Sequence, residues 1–234
     1  MATLASLTTK IQSIIQDSSI TDITDRINEA VSMIAGGVRL QNGQISPPLP
    51  GLYSTGTVAT STSAALKALP TTYQRNVFLV VDDSGDTIQP PSGGDYYSFA
   101  LFLKAIQEKD LSESGSIYRV CVKGSNLYYQ GIPTASENLT VHFYRKPVEL
   151  ADNTDEVDGI PDHLQIRLIK HYVCGDILGE MIEAGEDSRN MGHDYHMGKF
   201  YTAMIDLVDF IGIDAEPIYM AGGNDSFTDG AICD

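Results

Sequence analysis

At both ends of this 234-residue chain, apolar side chains return every third or fourth residue, and through the middle they do not. Leu4, Leu7, Ile11, Ile14 and Ile15 trace one face of a helix. Asp17-Ser18-Ser19 breaks it, and Ser19 with Asp22 three residues later resembles a helix-capping signal. Ile20, Ile23, Ile27, Val31 and Ile34 form a second stripe that stops at Gly36-Gly37. The pattern returns after Pro147. Leu164, Leu168, Tyr172, Val173, Ile177, Met181 and Ile182 make a broad apolar face ending near Gly185, with Pro161 in the expected first turn. Tyr195, Phe200, Tyr201, Met204, Leu207, Val208 and Ile211 mark a fourth helix.

Between these ends the period shortens. Pro47, Pro48 and Pro50 interrupt regular structure, and Ser54 to Ser63 offers no helical period. Short β-like runs follow at Val77–Val81, Tyr96–Leu103, Ile117–Lys123, Leu127–Gln130 and Leu139–Arg145. Tyr118, Val120 and Val122 fall on one side of their strand, and Leu139, Val141 and Phe143 on one side of theirs. Gly124-Ser125-Asn126 reads as a hairpin loop.

Neither terminal helical hairpin can bury its stripe alone, so the two are expected to pack together. The expected fold is α+β: a four-helix bundle from the two chain ends, an inserted antiparallel β domain, and an extended C-terminal arm. Its expected boundaries are residues 1–41 and 149–211 for the bundle, 42–148 for the β domain and 212–234 for the arm.

Charge narrows the function. Fifteen Lys and Arg against 31 Asp and Glu leave a net charge of −16, which opposes binding of duplex DNA through its phosphates. No apolar run approaches the roughly 18 to 20 residues of a membrane span, and the first ten residues lack the pattern of a secretory signal. Cys121, Cys174 and Cys233 are odd in number and far apart, which fits reduced thiols better than a disulfide framework or a zinc site.

Candidate chemistry is sparse. His193 and His196, with Asp194 between, have the spacing of a metal pair but lack an H-E-x-x-H context. His163 and His171 lie eight residues apart on one helix and read as surface or interface positions. Asp152, Asp155, Glu156 and Asp158 are unevenly spaced, and position twelve from Asp152 is His163 rather than the Glu of a calcium loop. They read as a charged linker whose acids favour the start of the next helix. Asp82-Asp83-Ser84-Gly85-Asp86 reads as a turn. No phosphate-binding glycine loop or nucleophile elbow is present, so no catalytic residue, cofactor or metal site is expected.

The tail is more informative. Residues 200–234 hold seven acids and no Lys or Arg, yet Ile218, Tyr219, Met220, Phe227 and Ile232 supply apolar anchors to a segment without its own core. It reads either as a frayed terminus or as an arm that orders on a partner. Tyr96, Tyr97, Tyr128 and Tyr129 offer a competing reading, an aromatic surface for carbohydrate or protein on the β domain.

Two N-terminal helices, a β insertion, the passage Leu139-Thr140-Val141-His142-Phe143-Tyr144-Arg145-Lys146-Pro147, an acidic linker and Ile160-Pro161-Asp162-His163-Leu164 opening a long helix together resemble the head-to-tail adaptor proteins of tailed bacteriophages. The resemblance implies a structural virion protein without enzymatic activity, made in the host cytoplasm. It implies a homo-oligomeric ring, a dodecamer in the family pattern, docked beneath the portal protein. Such a ring extends the DNA channel, lets genomic DNA pass without specific binding, and gives the tail or nozzle protein its platform. It also implies that the C-terminal anchors Ile218, Tyr219, Met220, Phe227 and Ile232 bind the portal. A tail-completion or head-closure component is the nearest alternative.

Overall fold

The computed structural model describes residues 1–17, 19–40, 43–91, 94–105, 111–185 and 190–212. Among these are five α-helices and two three-stranded antiparallel sheets. The chain divides into two compact units. Among the described residues, one joins Met1–Leu52 to the chain from Lys146 to Gly212, and the other begins at Tyr53 and ends at Arg145.

The first unit holds α1 (Leu4–Ile15), α2 (Ile23–Gly36), α4 (Asp162–Glu183) and α5 (Asn190–Ile211). All four contribute to one buried apolar cluster, and α4 touches each of the other three. In α1, Leu4, Leu7, Ile11 and Ile15 are buried, whereas Ile14 lies at the edge of the stripe and is 37% exposed. A capping box between Thr3 and Ser6 starts this helix, satisfying backbone N–H groups that the first turn leaves open. The capping signal expected at Ser19 is not used. Ser19 bonds to Asp17, while the N-cap of α2 is Asp22, whose carboxylate accepts from Arg26 Nε instead of the helix backbone. Gly37, at φ 106°, ends α2. Pro161 is the N-cap of α4, one residue before the first turn.

α4 is buried on several sides because α1, α2 and α5 surround it, and a helix in that position needs no single apolar stripe. Gly175 and Gly192 let α4 and α5 approach closely. A Cβ at Gly175 would sit 2.6 Å from Met197 Sδ, and one at Gly192 would sit 3.2 Å from Leu178. Leu49 and Leu52 are buried in the helical core, so this unit continues through the proline-rich stretch to Leu52 rather than ending near residue 41.

The acidic linker belongs to this unit and is tied to its N-terminus. Leu4 and Ala5 donate backbone bonds to the carbonyls of Asp155 and Asn153, and Val157 donates to Ala2. Gln165, buried in α4, accepts from Ala2 N at 2.6 Å and donates to the carbonyls of Ile160 and Val157.

The second unit comprises β1 (Tyr53–Ala59), β2 (Leu66–Ala68), β3 (Tyr73–Val81), α3 (Phe99–Ala105), β4 (Arg119–Lys123), β5 (Asn126–Gln130) and β6 (Asn138–Arg145). The sheets run β1-β6-β3 and β2-β5-β4. Both turn their buried residues, among them Val58, Val80, Val120, Val122, Leu127, Tyr129, Val141 and Phe143, into one core.

Three details differ from the sequence expectation. Tyr96–Leu103 does not form a strand. Its second half opens α3, whose residues Phe99–Ala105 include no β-branched side chain and whose Phe99 and Phe102 recur at helical spacing. Ser54–Ala59 is strand, hidden in the sequence because only Val58 of β1 is buried. The β4–β5 turn is two residues, Gly124 and Ser125, with Asn126 already paired to Lys123. Gly124 supplies the φ of 60° that the tight turn needs.

Candidate interaction surfaces

His193 and His196, which have the spacing of a metal pair in the sequence, diverge in the structure. His193 bonds the Gly175 carbonyl at 2.8 Å, and His196 meets His171 on α4 with the two Nδ1 atoms 2.9 Å apart. Both rings of that pair are buried, so one neutral Nδ1–H donates to the other nitrogen. Burial is the main force holding His171 down at about 4, and the positive charges of Lys170, His196, Lys199 and Arg167 add to it. His196 is lowered as well, again mainly by burial. His163 packs edge-on against Phe210 at 4.9 Å. Among the described residues, no three His, Cys, Asp or Glu side chains gather as a metal site.

The acidic linker is a self-bonded turn. The Asp155 carboxylate accepts from the N–H groups of Ala151 and Asp152, both at 2.8 Å, and these bonds lower its pKa. Asp82 does the same in its turn, accepting from Ser84 and Asp86. Neither arrangement is built around a cation. Cys121 and Cys174 are buried free thiols, pushed up to about 12 and about 11 by burial; Cys233 lies outside the described residues.

The four tyrosines do not share a surface. Tyr96 and Tyr129 are core residues, their hydroxyls donating to the carbonyls of Ile88 and Ala64. Tyr97 bonds the Val77 N–H and the Tyr73 hydroxyl, and Tyr128 packs edge-on against Phe99 at 4.9 Å. A different aromatic group lies on the outer side of the β1-β6-β3 sheet. Tyr53, half exposed, bonds His142 Nδ1 at 2.8 Å, stacks with that ring at 6.0 Å and meets Phe78 at a tilt at 5.9 Å. Alternation in β6 marked His142 as facing away from the core, but its partners lie on strands distant in sequence.

The helical unit carries two surfaces of opposite charge. Arg167 and Lys170 of α4 lie with Lys199 of α5 beside the buried histidine pair, and Arg167 bridges Asp206 at 2.8 Å. Tyr195 and Met191 stand exposed on the same helix as Lys199, whose Nζ is 5.7 Å from the Tyr195 ring centre. Gly198 opens onto free space. The second surface is acidic. Asp22, Asp176 and Glu180 converge on Arg26, at 2.9, 2.5 and 2.6 Å, and hold its guanidinium even more firmly protonated than usual. Asp25 and Glu29 extend the acidic edge along α2, and Glu29 with Asp176 helps burial push the Tyr172 phenol up. Arg167 and Asp176 are nine residues apart, about two and a half helical turns, so the two surfaces flank α4 on opposite sides.

Two grooves indent the helical unit. One of about 220 Å³ lies between α2 and the start of the linker, lined by Glu29, Val31, Lys146, Pro147, Val148 and Glu149 among others. The other, about 560 Å³, lies where α5 ends, lined by Met1, Ile160, Pro161, His163, Phe210 and Ile211 among others. The expected portal-binding anchors Ile218, Tyr219, Met220, Phe227 and Ile232 lie outside the described residues. No described helix is long and apolar enough to cross a membrane.

Curated proteins give no match to this chain. A family of phage structural adaptors does match, the SU10 adaptor protein, over residues 2–219. That span takes in both compact units, from the capping box of α1 through the β sheets to the end of α5. The chain belongs to the SU10 adaptor protein family.

Proposed function

We propose that this protein is a head-to-tail adaptor whose copies form a ring, a dodecamer in the family pattern, beneath the portal protein of a tailed phage. The ring extends the DNA channel and gives the tail or nozzle its attachment platform. The observation that carries this reading is the family match along almost the whole chain. In each copy the helices of the two chain ends act as a four-helix bundle. The β unit gives a second body for neighbours or tail, and residues 212–234 form an extended arm. Ile218, Tyr219, Met220, Phe227 and Ile232 anchor that arm on the portal, the ordering cost being met only on binding. The net charge of −16 suits a channel wall that repels phosphate and lets genomic DNA slide. The protein is structural rather than catalytic, is made in the host cytoplasm and resides in the virion.

The experiment is complementation of a phage lacking this gene with a chain truncated after Gly212, alongside one with Ile218, Tyr219 and Phe227 changed to serine. The expected result is folded protein that no longer joins the portal, and heads without tails. Infectious tailed particles at normal yield from the truncated chain would contradict the arm's role.

A further inference from the structure

A closed ring of identical copies needs two different surfaces on each copy that fit one another when rotated, since a self-complementary patch stops at a dimer. The helical unit has two such surfaces on opposite sides of α4. On one side Lys170 and Lys199 stand with Arg167, which is bridged to Asp206, beside the exposed Tyr195 and Met191; Lys199 Nζ lies 5.7 Å from the Tyr195 ring centre. On the other, Asp22, Asp176 and Glu180 surround the guanidinium of Arg26, Asp25 and Glu29 stand exposed along α2, and the groove bearing Glu29, Glu149 and Lys146 exposes Val148 at 65%.

We infer that the Met191–Lys199 face of α5, with Arg167 and Lys170, seats on the acidic α2 face of the next copy, Tyr195 and Lys199 entering the groove between α2 and residues 146–149. This rests on the ring reading above and names the contact that builds the ring. The occupant is a second copy because each surface carries an excess of the opposite charge: Lys170 and Lys199 beside the Arg167–Asp206 bridge on one, and on the other three carboxylates around Arg26 with Asp25 and Glu29 beside them. The cationic face projects aromatic and thioether side chains with open space at Gly198, and the acidic face offers a recess whose lining includes Pro147 and the exposed Val148. Charge sets orientation and rejects the wrong pairing, since two cationic or two acidic faces repel; apolar burial in the recess supplies the adhesion. In a chain this acidic, gathering cations on one side also lets neighbouring copies approach against their overall repulsion.

The test uses the full chain carrying Lys199→Cys and Glu29→Cys in a Cys233→Ser background. It is treated with a short bis-maleimide both in concentrated solution and inside particles that carry the variant. The expected products form a ladder beyond the dimer, because each copy offers both ends of the link. Either single variant should stay monomeric, and an equal mixture of the two should stop at the dimer. Separately, Lys199→Glu should lower assembly about ten-fold, and adding Glu29→Lys should restore most of it. Dimers from a single-cysteine variant would reveal a two-fold contact and overturn the inference. So would the absence of inter-copy products from particles whose micrographs still show the ring. In that case the ring reading stands and only this interface falls, whereas particles with neither ring nor products would remove both. Products joining the cationic face to portal protein or DNA, with none between copies, would assign that face to another partner and overturn the inference.

Discussion

Gln165 is the polar residue on which the acidic linker turns. Its amide oxygen takes the Ala2 N–H and its amide nitrogen serves two linker carbonyls, all within the core of the helical unit. Gln165→Met keeps the volume and removes every one of these bonds, leaving buried backbone groups without partners. The loss should be about 2–4 kcal/mol, read as a lower urea midpoint at unchanged slope. The buried histidine pair makes a separate prediction. The folded state holds His171 at about 4 and lowers His196, whereas the unfolded chain titrates near the ordinary value of about 6.5. Above that ordinary value both states are neutral and the pair carries no penalty. As pH falls from about 6.5 towards 4, the unfolded state takes up protons that the folded state refuses, and stability declines. His196→Asn cannot titrate, so its urea midpoint should fall less steeply than the parent's between pH 6.5 and 4.5.

At the scale of elements, burial decides the cost of substitution. Ile11 and Ile14 are neighbours on α1, but Ile11 is fully buried and Ile14 is not. Ile11→Ala should therefore cost about 2–5 kcal/mol, and Ile14→Ala about 1 kcal/mol or less, by chemical denaturation. In β1, a Cβ at Gly56 would lie 2.6 Å from Pro70 Cγ and 3.2 Å from the Phe143 ring. Neither ring can swing away as a flexible side chain does, so Gly56→Ala should destabilise the β unit by about 1–3 kcal/mol. The same burial rule governs what the sequence makes legible. Helices α1 and α2 show themselves because each buries one stripe. Strands β4, β5 and β6 do so because β-branched and aromatic side chains meet a core. Strand β2, exposed along its whole length, and β1, with one buried residue, give no such signal. The apolar run at Tyr96–Leu103 misleads because Tyr96 is buried in loop and the helix begins three residues later. The charged surfaces are not legible at all. Lys199 joins Arg167 and Lys170 around His171 only because α5 folds back on α4, and Asp176 reaches Arg26 only because α2 packs there. The tail anchors are the reverse case, conspicuous in the sequence and outside the described residues.

For the whole molecule, the chain belongs to the SU10 adaptor protein family, and the reading proposed above makes it a subunit that stands between two unlike partners and beside copies of itself. The most direct measurement is electron microscopy of particles carrying this chain with an antibody or fusion label at its N-terminus. The account predicts label at one capsid vertex, in a ring between portal and tail, and tailless heads when the gene is removed. Label spread over the capsid surface, or tailed and infectious particles without the chain, would contradict it.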